Sequence, residues 1–384
     1  MNVLHVYRTY FPDPPGGLQE AIRQIALSTQ SLPDEEIENR IFTLSPTPIP
    51  AQIERAEGWV IRARSWVAPA SCDLGFIASF QLFSIQLEWA DIVHYHFPWP
   101  FADILHFLSR VKKKYNKACV MTYHSDVIAK GWLGKLYQPL MKRMLNSMDA
   151  VIATSTAYIK SSPILTSIVP SQYLHTIPLG IMESSYQQYQ KDAINISLQQ
   201  KFGLKTSEYF LFIGVLRAYK GLYFLLEAAK QVAFPIAIAG TGAEQDKLAA
   251  IAQQSANIHL LGQVTNAEKM ALIRGCKALI LPSHLRSEAF GVVLIEAAMC
   301  AKPMISCEIG TGTSFANLDH KTGFVVPPRS PDALANAMQK LITDGDLTKT
   351  MGKAARQRYQ ALFSGEALGM AYAQCYRKIL NDKK

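Results

Sequence analysis

The chain has 384 residues, of which 49% are apolar, a length that makes about two or three domains with a sizeable buried core. Six cysteines, at 72, 119, 276, 300, 307 and 375, fall in no CxxC spacing, so neither a thiolate metal cage nor an evident disulfide framework is expected, and a reducing cytosol fits best. The net charge of +9 favours an anionic partner: nucleic acid, an acidic lipid surface or a phosphorylated small molecule.

In chain order, MNVLHVYRTYF reads as a strand and lacks the basic and apolar regions of a secretory leader. The most apolar stretch, which starts at Leu74, is interrupted by Gln81, Gln86 and Glu88 and falls short of the roughly 18 apolar residues a membrane span requires. A soluble or peripheral protein of the cytoplasm is expected. VLHVY (3–7), DIVHY (91–95), ACVMTY (118–123) and DAVIAT (149–154) are short β-rich runs between helical-period segments, the pattern of a parallel α/β sheet. A polar, glutamine-rich stretch from about 183 to 207 follows. The pattern then restarts with YFLFIG (209–214), PIAIAG (235–240), IHLLG (258–262), ALILP (278–282), PMISC (303–307) and GFVVP (323–327). Two α/β domains follow, 1–185 and 186–384, with a basic C-terminal helical stretch that can pack back on the first. Ligands of such sheets bind beyond the carboxyl ends of the strands, and in a two-domain chain those ends can face one cleft.

The candidate residues lie just past these runs. Gly16 and Gly17 precede a helix, where glycines let backbone N–H groups approach an anion, although a plain turn explains them equally well. Arg217 and Lys220, in GVLRAYKG, stand ahead of another helix and suit a diphosphate; solvated loop charges are the bland alternative. In SEAFGVVLIEAAMC, Glu296 is the one charge in a helix that reads as buried nearly all round. A carboxylate there needs a partner, either a sugar diol or a structural lysine or arginine. Glu288 precedes that helix, whose first N–H groups, near Phe290, Gly291 and Val292, would point at the same ligand. Lys220 and Glu296 are expected to contact ligand and to leave the core alone.

His94 and His96 share a strand face, which raises the question of a metal, but no matching carboxylate and lysine ligands accompany them and no metal is expected. His94 reads as a core residue and His124, before Ser125 and Asp126, as a substrate contact. GTGAEQ (240–245) has Gln245 where a dinucleotide fingerprint needs its third glycine, and no GxxxxGK[ST] loop occurs.

In this order, Gly16-Gly17, His124, GVLRAYKG, the AGTG turn (239–242), the pair Glu288 and Glu296, and TGFVVPP (322–328) resemble the retaining glycosyltransferases of family 4, over nearly the whole chain. The resemblance implies the GT-B architecture, two Rossmann-like domains facing a central cleft, and an enzyme that needs no metal or other cofactor. It implies that Glu296 holds the donor ribose, Lys220 the diphosphate, and Glu288 with the Phe290-Gly291-Val292 backbone the donor sugar. Gly17 would offer N–H groups near the phosphates, His124 would sit beside the transferred sugar, and Glu288, His124 and Lys220 would be the catalytic set. The family commonly has arginine directly after the loop glycine, where this chain has Val215; Arg217 can replace it if the backbone there is extended.

VYRTYFPDPPGG, HYHFPWPFAD, TYHSD and EIGTGTSFANLDHKTGF are similar to bacterial enzymes that add mannose or rhamnose to lipopolysaccharide O-antigen. That likeness implies a GDP-linked nucleotide sugar and a lipid-linked glycan acceptor. A sugar-nucleotide epimerase on the same architecture is the alternative enzyme. A non-catalytic binder of anions is a third reading, and nucleic acid is disfavoured as a partner because no recognition motif is present and acidic residues sit in the expected cleft. Between 110 and 143, nine lysines and arginines stand against Asp126 alone, interleaved with Trp132, Leu133, Leu136 and Tyr137. This composition suits the anionic inner face of the cytoplasmic membrane, although a solvated basic helix gives nearly the same pattern.

Overall fold

The computed structural model describes residues 1–13, 16–69, 72–111, 117–126 and 132–383. Two compact units emerge, the first made of 1–180 together with 365–384, the second of 181–364. The C-terminal helix Gly365–Asp382 thus belongs to the first unit.

In the first unit eight strands form one sheet: β1 (Asn2–Val6), β2 (Glu38–Ser45), β3 (Gln52–Arg55), β4 (Gly58–Arg64), β5 (Ile92–Phe97), β6 (Ala118–Tyr123), β7 (Ala150–Ala153) and β8 (Leu174–Thr176). Their order is β3-β4-β2-β1-β5-β6-β7-β8, parallel throughout except where β3 pairs antiparallel with β4. β5 and β6 are buried at every position, as expected of central strands covered on both faces. Against one face lie the helices Gly17–Gln30 and Gly365–Asp382, with Val3, Ile25, Ile92, Val120 and Ile152 packed on Leu368, Tyr372, Tyr376 and Ile379. Polar bonds cross this apolar layer. His94 Nδ1 meets the Tyr376 hydroxyl at 2.7 Å, His94 Nε2 meets Thr122 Oγ1 at 2.7 Å, and Thr122 meets the Tyr372 hydroxyl at 2.9 Å. The C-terminal helix is therefore fixed in register by burial and by hydrogen bonds that a slip would leave unpaired.

The second unit has six parallel strands: β9 (Phe210–Ile213), β10 (Ile236–Ala239), β11 (Ile258–Gly262), β12 (Ala278–Leu281), β13 (Met304–Cys307) and β14 (Gly323–Val326). The order β11-β10-β9-β12-β13-β14 reverses direction between β9 and β12, the topological switch point at which doubly wound sheets bind ligand. At the end of this unit the helix Gly345–Arg358 runs into a wider turn, Tyr359–Phe363, and stops at extended Ser364. Arg356 holds this segment in place with bonds to both Glu183 carboxylate oxygens (3.1 and 2.7 Å) and to the Met299 carbonyl (2.6 Å).

Candidate active site

The loops after β9 and β12, the switch-point strands, hold Lys220 and Glu288, and the helix that follows the second loop holds Glu296. After β9, Gly214-Val215-Leu216-Arg217 leads into a short 3-10 turn, Ala218–Lys220, and then into the helix Leu222–Ala229. Gly221 caps that helix at φ 72°, and a Cβ there would lie 2.0 Å from the Pro282 carbonyl oxygen, so only glycine lets this helix start press against the loop after β12. Arg217 is exposed and its backbone is extended at φ −121°, ψ 150°. Among the described residues no ion pair engages it.

The AGTG turn after β10 serves this loop. Gly214 N–H donates to the Ala239 carbonyl (3.1 Å), Leu216 N–H to the Thr241 carbonyl (2.9 Å) and Glu244 N–H to the Leu216 carbonyl (3.1 Å). A Cβ at Gly242 would stand 2.4 Å from the Leu216 carbonyl oxygen. The glycines that begin like a dinucleotide fingerprint here allow two loop backbones to touch.

After β12, Glu288 is buried and forms an ion pair with Lys220, while Ser283 Oγ donates to the same carboxylate oxygen at 2.9 Å. Gly291, at φ 81°, opens the helix Val292–Met299, and Phe290 beside it is buried. Within that helix Leu294, Ile295, Ala297, Ala298 and Met299 are buried around Glu296, itself only 4% exposed. The carboxylate accepts bonds at Oε1 from Lys269 Nζ (2.6 Å) and from the Tyr186 hydroxyl (2.9 Å). Both alternatives for a buried carboxylate thus bear on one side chain: a structural lysine neutralises Oε1, and Oε2 has no bond among the described residues. Lys220 and Glu296 are tied into ion pairs, so the expectation that they leave the core alone needs correcting: removing Lys220 leaves buried Glu288 without its cation, and removing Glu296 leaves half-buried Lys269 without its carboxylate. Lys269, Tyr186 and Ser283 escaped the sequence reading, because pairings across 5 to 110 residues leave no periodic trace.

In the first unit, Gly16 is the N-cap of the helix Gly17–Gln30 and no side chain caps it. A Cβ at Gly17 would meet no atom within 4 Å, so the packing of the protein does not itself demand glycine there. His124 follows β6 and is buried; its Nε2 lies 3.1 Å from His96 Nδ1. Burial pushes its pKa down to about 3, so the ring is neutral at physiological pH. His5, His94 and His96 bring one nitrogen each to within 4.8 Å of one another, close enough to share a metal. Every nitrogen of these three rings already has a hydrogen-bond partner, however: His5 with His96 and Asn39, His94 with Tyr376 and Thr122, and His96 with His5 and His124. A hydrogen-bonded chain accounts for them.

Of the basic run, Lys112, Lys113, Lys114 and Lys130 lie outside the described residues, as do the side chains of Trp132, Leu133 and Lys135.

Two parallel-sheet α/β units of this kind, one with a cation and two carboxylates at its switch point, define the class of GT-B glycosyltransferases. The chain matches the family described as Glycosyltransferase Family 4 over residues 16–182 and that described as Glycosyl transferases group 1 over 195–358. It is 41% identical over 367 residues to D-rhamnosyltransferase WbpZ of Pseudomonas aeruginosa, covering 95% of this chain and 92% of that protein. To O-antigen chain mannosyltransferase C of Escherichia coli it is 36% identical over 385 residues, covering all of both. The fold is similar to that of a sucrose-phosphate synthase from Thermosynechococcus elongatus, with a TM-score of 0.78 at 21% identity over 99% of each chain. The chain belongs to the family 4, group 1 glycosyltransferases.

Proposed function

We propose that this glycosyltransferase moves a hexose of the mannose or rhamnose type from a GDP-linked donor to a lipid-linked glycan in O-antigen synthesis, with retention and without a metal. The observation that carries the reading is the Lys220–Glu288 ion pair at the switch point of the second sheet, beside two helix starts opened by Gly221 and Gly291, with Glu296 on the second of those helices. The sugar and the pathway are supported by the names of the two full-length relatives. Donor base and retention rest on the family resemblance.

The chemistry asked of these residues is modest. A departing nucleoside diphosphate carries negative charge that must be met where it develops. Lys220, Arg217 and the N–H groups opening the helix at Val292 supply positive potential there, in the role a divalent ion has elsewhere. Glu288 orients the sugar and faces the cationic character of the anomeric carbon as the bond breaks, and Glu296 accepts from the ribose diol through Oε2. The test is nucleotide release from GDP-mannose and GDP-rhamnose in EDTA, with and without a glycan on a lipid diphosphate. Release that requires the acceptor and persists in EDTA is expected. Release without acceptor would favour an epimerase or hydrolase, and activity restored only by magnesium or manganese would reject the metal-free mechanism.

A lipid-linked acceptor asks for a membrane-facing surface, and the first unit offers an apolar one. The helix Ile77–Trp89 buries Ser79 and Gln86 yet exposes Ile77 at 75% and Ile85 at 59%. It packs beside Pro100–Val111, which packs beside Trp132–Asn146; Leu108 and Leu136 on these two are also exposed. Exposed apolar side chains on helices of which the latter two also carry Arg110 and Arg143 suit peripheral binding to anionic lipid. Among the described residues no helix is long and apolar enough to cross a membrane. In co-sedimentation the protein should bind vesicles containing anionic lipid, less so at high salt and less so as the variant I77E/I85E. Equal binding to neutral vesicles, or none to anionic ones, would refute the surface.

A further inference from the structure

The first unit contains a chain of hydrogen bonds that ends at His124 and that the transfer reaction, as described, does not use. It begins at Asn39, on β2. The Asn39 amide is oriented without ambiguity: Nδ2 donates to the Ala26 carbonyl at 3.0 Å, a group that can only accept, and reaches Thr29 Oγ1 at 3.3 Å. The Thr29 hydroxyl has its own acceptors, the carbonyls of Ile25 and Ala26. Oδ1 of Asn39 therefore faces His5 Nε2, 3.1 Å away, and an amide oxygen can only accept. His5 Nε2 must carry the proton.

The constraint then passes from ring to ring. A neutral imidazole has one donor and one acceptor nitrogen, so His5 Nδ1 is an acceptor and His96 Nε2, at 3.0 Å, is the donor to it. His96 Nδ1 is in turn an acceptor, and His124 Nε2, at 3.1 Å, donates. The remaining nitrogen of His124, Nδ1, carries a lone pair. All four side chains are buried, Asn39 and His124 at 4% and 7% exposure and the two middle rings at 0% and 1%, so no water competes to reverse the order. Burial also keeps the rings neutral, with His5 down to about 4 and His124 to about 3.

We propose that Asn39, His5 and His96 are positioning residues that hold His124 in its Nε2–H tautomer, so that Nδ1 is a fixed acceptor for a hydroxyl of the ligand. This rests on the reading of His124 as a contact of the transferred sugar. A lone pair attracts a hydroxyl proton and repels a phosphate oxygen. The basic appearance of a histidine beside a nucleotide sugar is thus misleading: His124 recognises the sugar and does not clamp the diphosphate. A histidine free to choose its tautomer would spend part of its time offering Nδ1–H, which a hydroxyl can also accept, and orientation of the sugar would be lost.

The test is direct observation of the tautomers in the full chain labelled with 15N-histidine, by long-range proton–nitrogen correlation at pH 7.5, with signals assigned from single-histidine variants. His5, His96 and His124 should each show protonated Nε2 and bare Nδ1. In His5→Phe, which keeps a ring but breaks the chain, His124 should show a mixture of tautomers and kcat should fall about tenfold, the worth of one hydrogen bond, with the donor KM unchanged. Protonated Nδ1 or an imidazolium at His124 in the unsubstituted protein would overturn the relay, whether or not His5→Phe folds. His124→Phe keeps an aromatic ring but has no nitrogen acceptor in place of Nδ1; turnover unchanged in that variant would overturn its use toward the sugar. Absence of transfer from any nucleotide sugar, with the tautomers as expected, would reject the transferase reading and leave the relay standing.

Discussion

Lys220→Ala is expected to lower kcat by about 10²–10³-fold, the usual loss when one preorganised donor to a developing charge is removed. Its Nζ bonds the Glu288 carboxylate, which also accepts from Ser283. Glu288 is buried, so the substitution leaves a carboxylate with one neutral donor, and some thermal stability is lost with the activity. Lys220→Arg should recover stability more fully than kcat, because a planar guanidinium can neutralise Glu288 without matching the point charge of an ammonium. Glu296→Ala should act on binding instead: loss of a hydrogen-bonded carboxylate is worth roughly 1.5–3 kcal/mol, or about 10–100-fold in nucleotide affinity. It also strands Lys269, so Glu296→Gln is the cleaner variant. Steady-state kinetics, nucleotide calorimetry and a thermal melt on the same samples check all of this; unchanged kcat in Lys220→Ala together with unchanged affinity in Glu296→Gln would reject the site.

The first unit is expected to be acid-labile and the second much less so. His5, His94, His96, His106 and His124 are all buried in the first unit, and burial lowers every one, His5 to about 4, His106 and His124 to about 3, and His94 and His96 well below the ordinary 6.5. A histidine whose pKa is depressed by folding contributes stability that is fully present above 6.5 and is lost as pH falls toward its folded value. Below about pH 6 each such ring costs about 1.4 kcal/mol per pH unit. Asp103 works the other way. Burial raises it to about 7, so it takes up a proton in the folded state and favours folding as pH falls from 7 toward 4. One carboxyl against five rings does not reverse the sign. All five tryptophans, at 59, 66, 89, 99 and 132, belong to the first unit, which makes indole fluorescence a reporter of that unit alone. The urea midpoint by fluorescence should drop between pH 7.5 and 5.5 by more than the midpoint by far-ultraviolet circular dichroism, which sees both units. Coincident, pH-independent midpoints would contradict the buried, neutral state of the histidines.

Among the described residues, ten of the fourteen strands were legible as apolar runs because they are short and largely apolar. ACVMTY coincides with β6, and the runs of the second half each contain one of β9 to β14. Four were not visible. β3 and β4 carry Glu54, Arg55, Arg62 and Arg64 at the sheet edge, where polarity hides the alternation, and β8 is three half-buried residues. β2 contains the run IFTL but begins ENR, and the charge at its start dilutes the pattern. In the candidate site, Lys220 stood out as a cation ahead of a helix, Glu288 as a carboxylate before the next helix, and Glu296 as the one charge inside an apolar helix. Their partners did not. Asn39 and His5 drew no reading from the sequence; the parallel register that sets His5 beside His94 in β5 brings the relay together.

The most direct measurement of the central claim is the product itself: purified protein, GDP-mannose or GDP-rhamnose, and a glycan on a lipid diphosphate, followed by mass spectrometry and NMR of the glycan. The account predicts one added hexosyl or deoxyhexosyl residue, joined with the anomeric configuration of the donor. An unmodified acceptor beside consumed donor would contradict the transferase assignment for these substrates, and an inverted linkage would contradict retention.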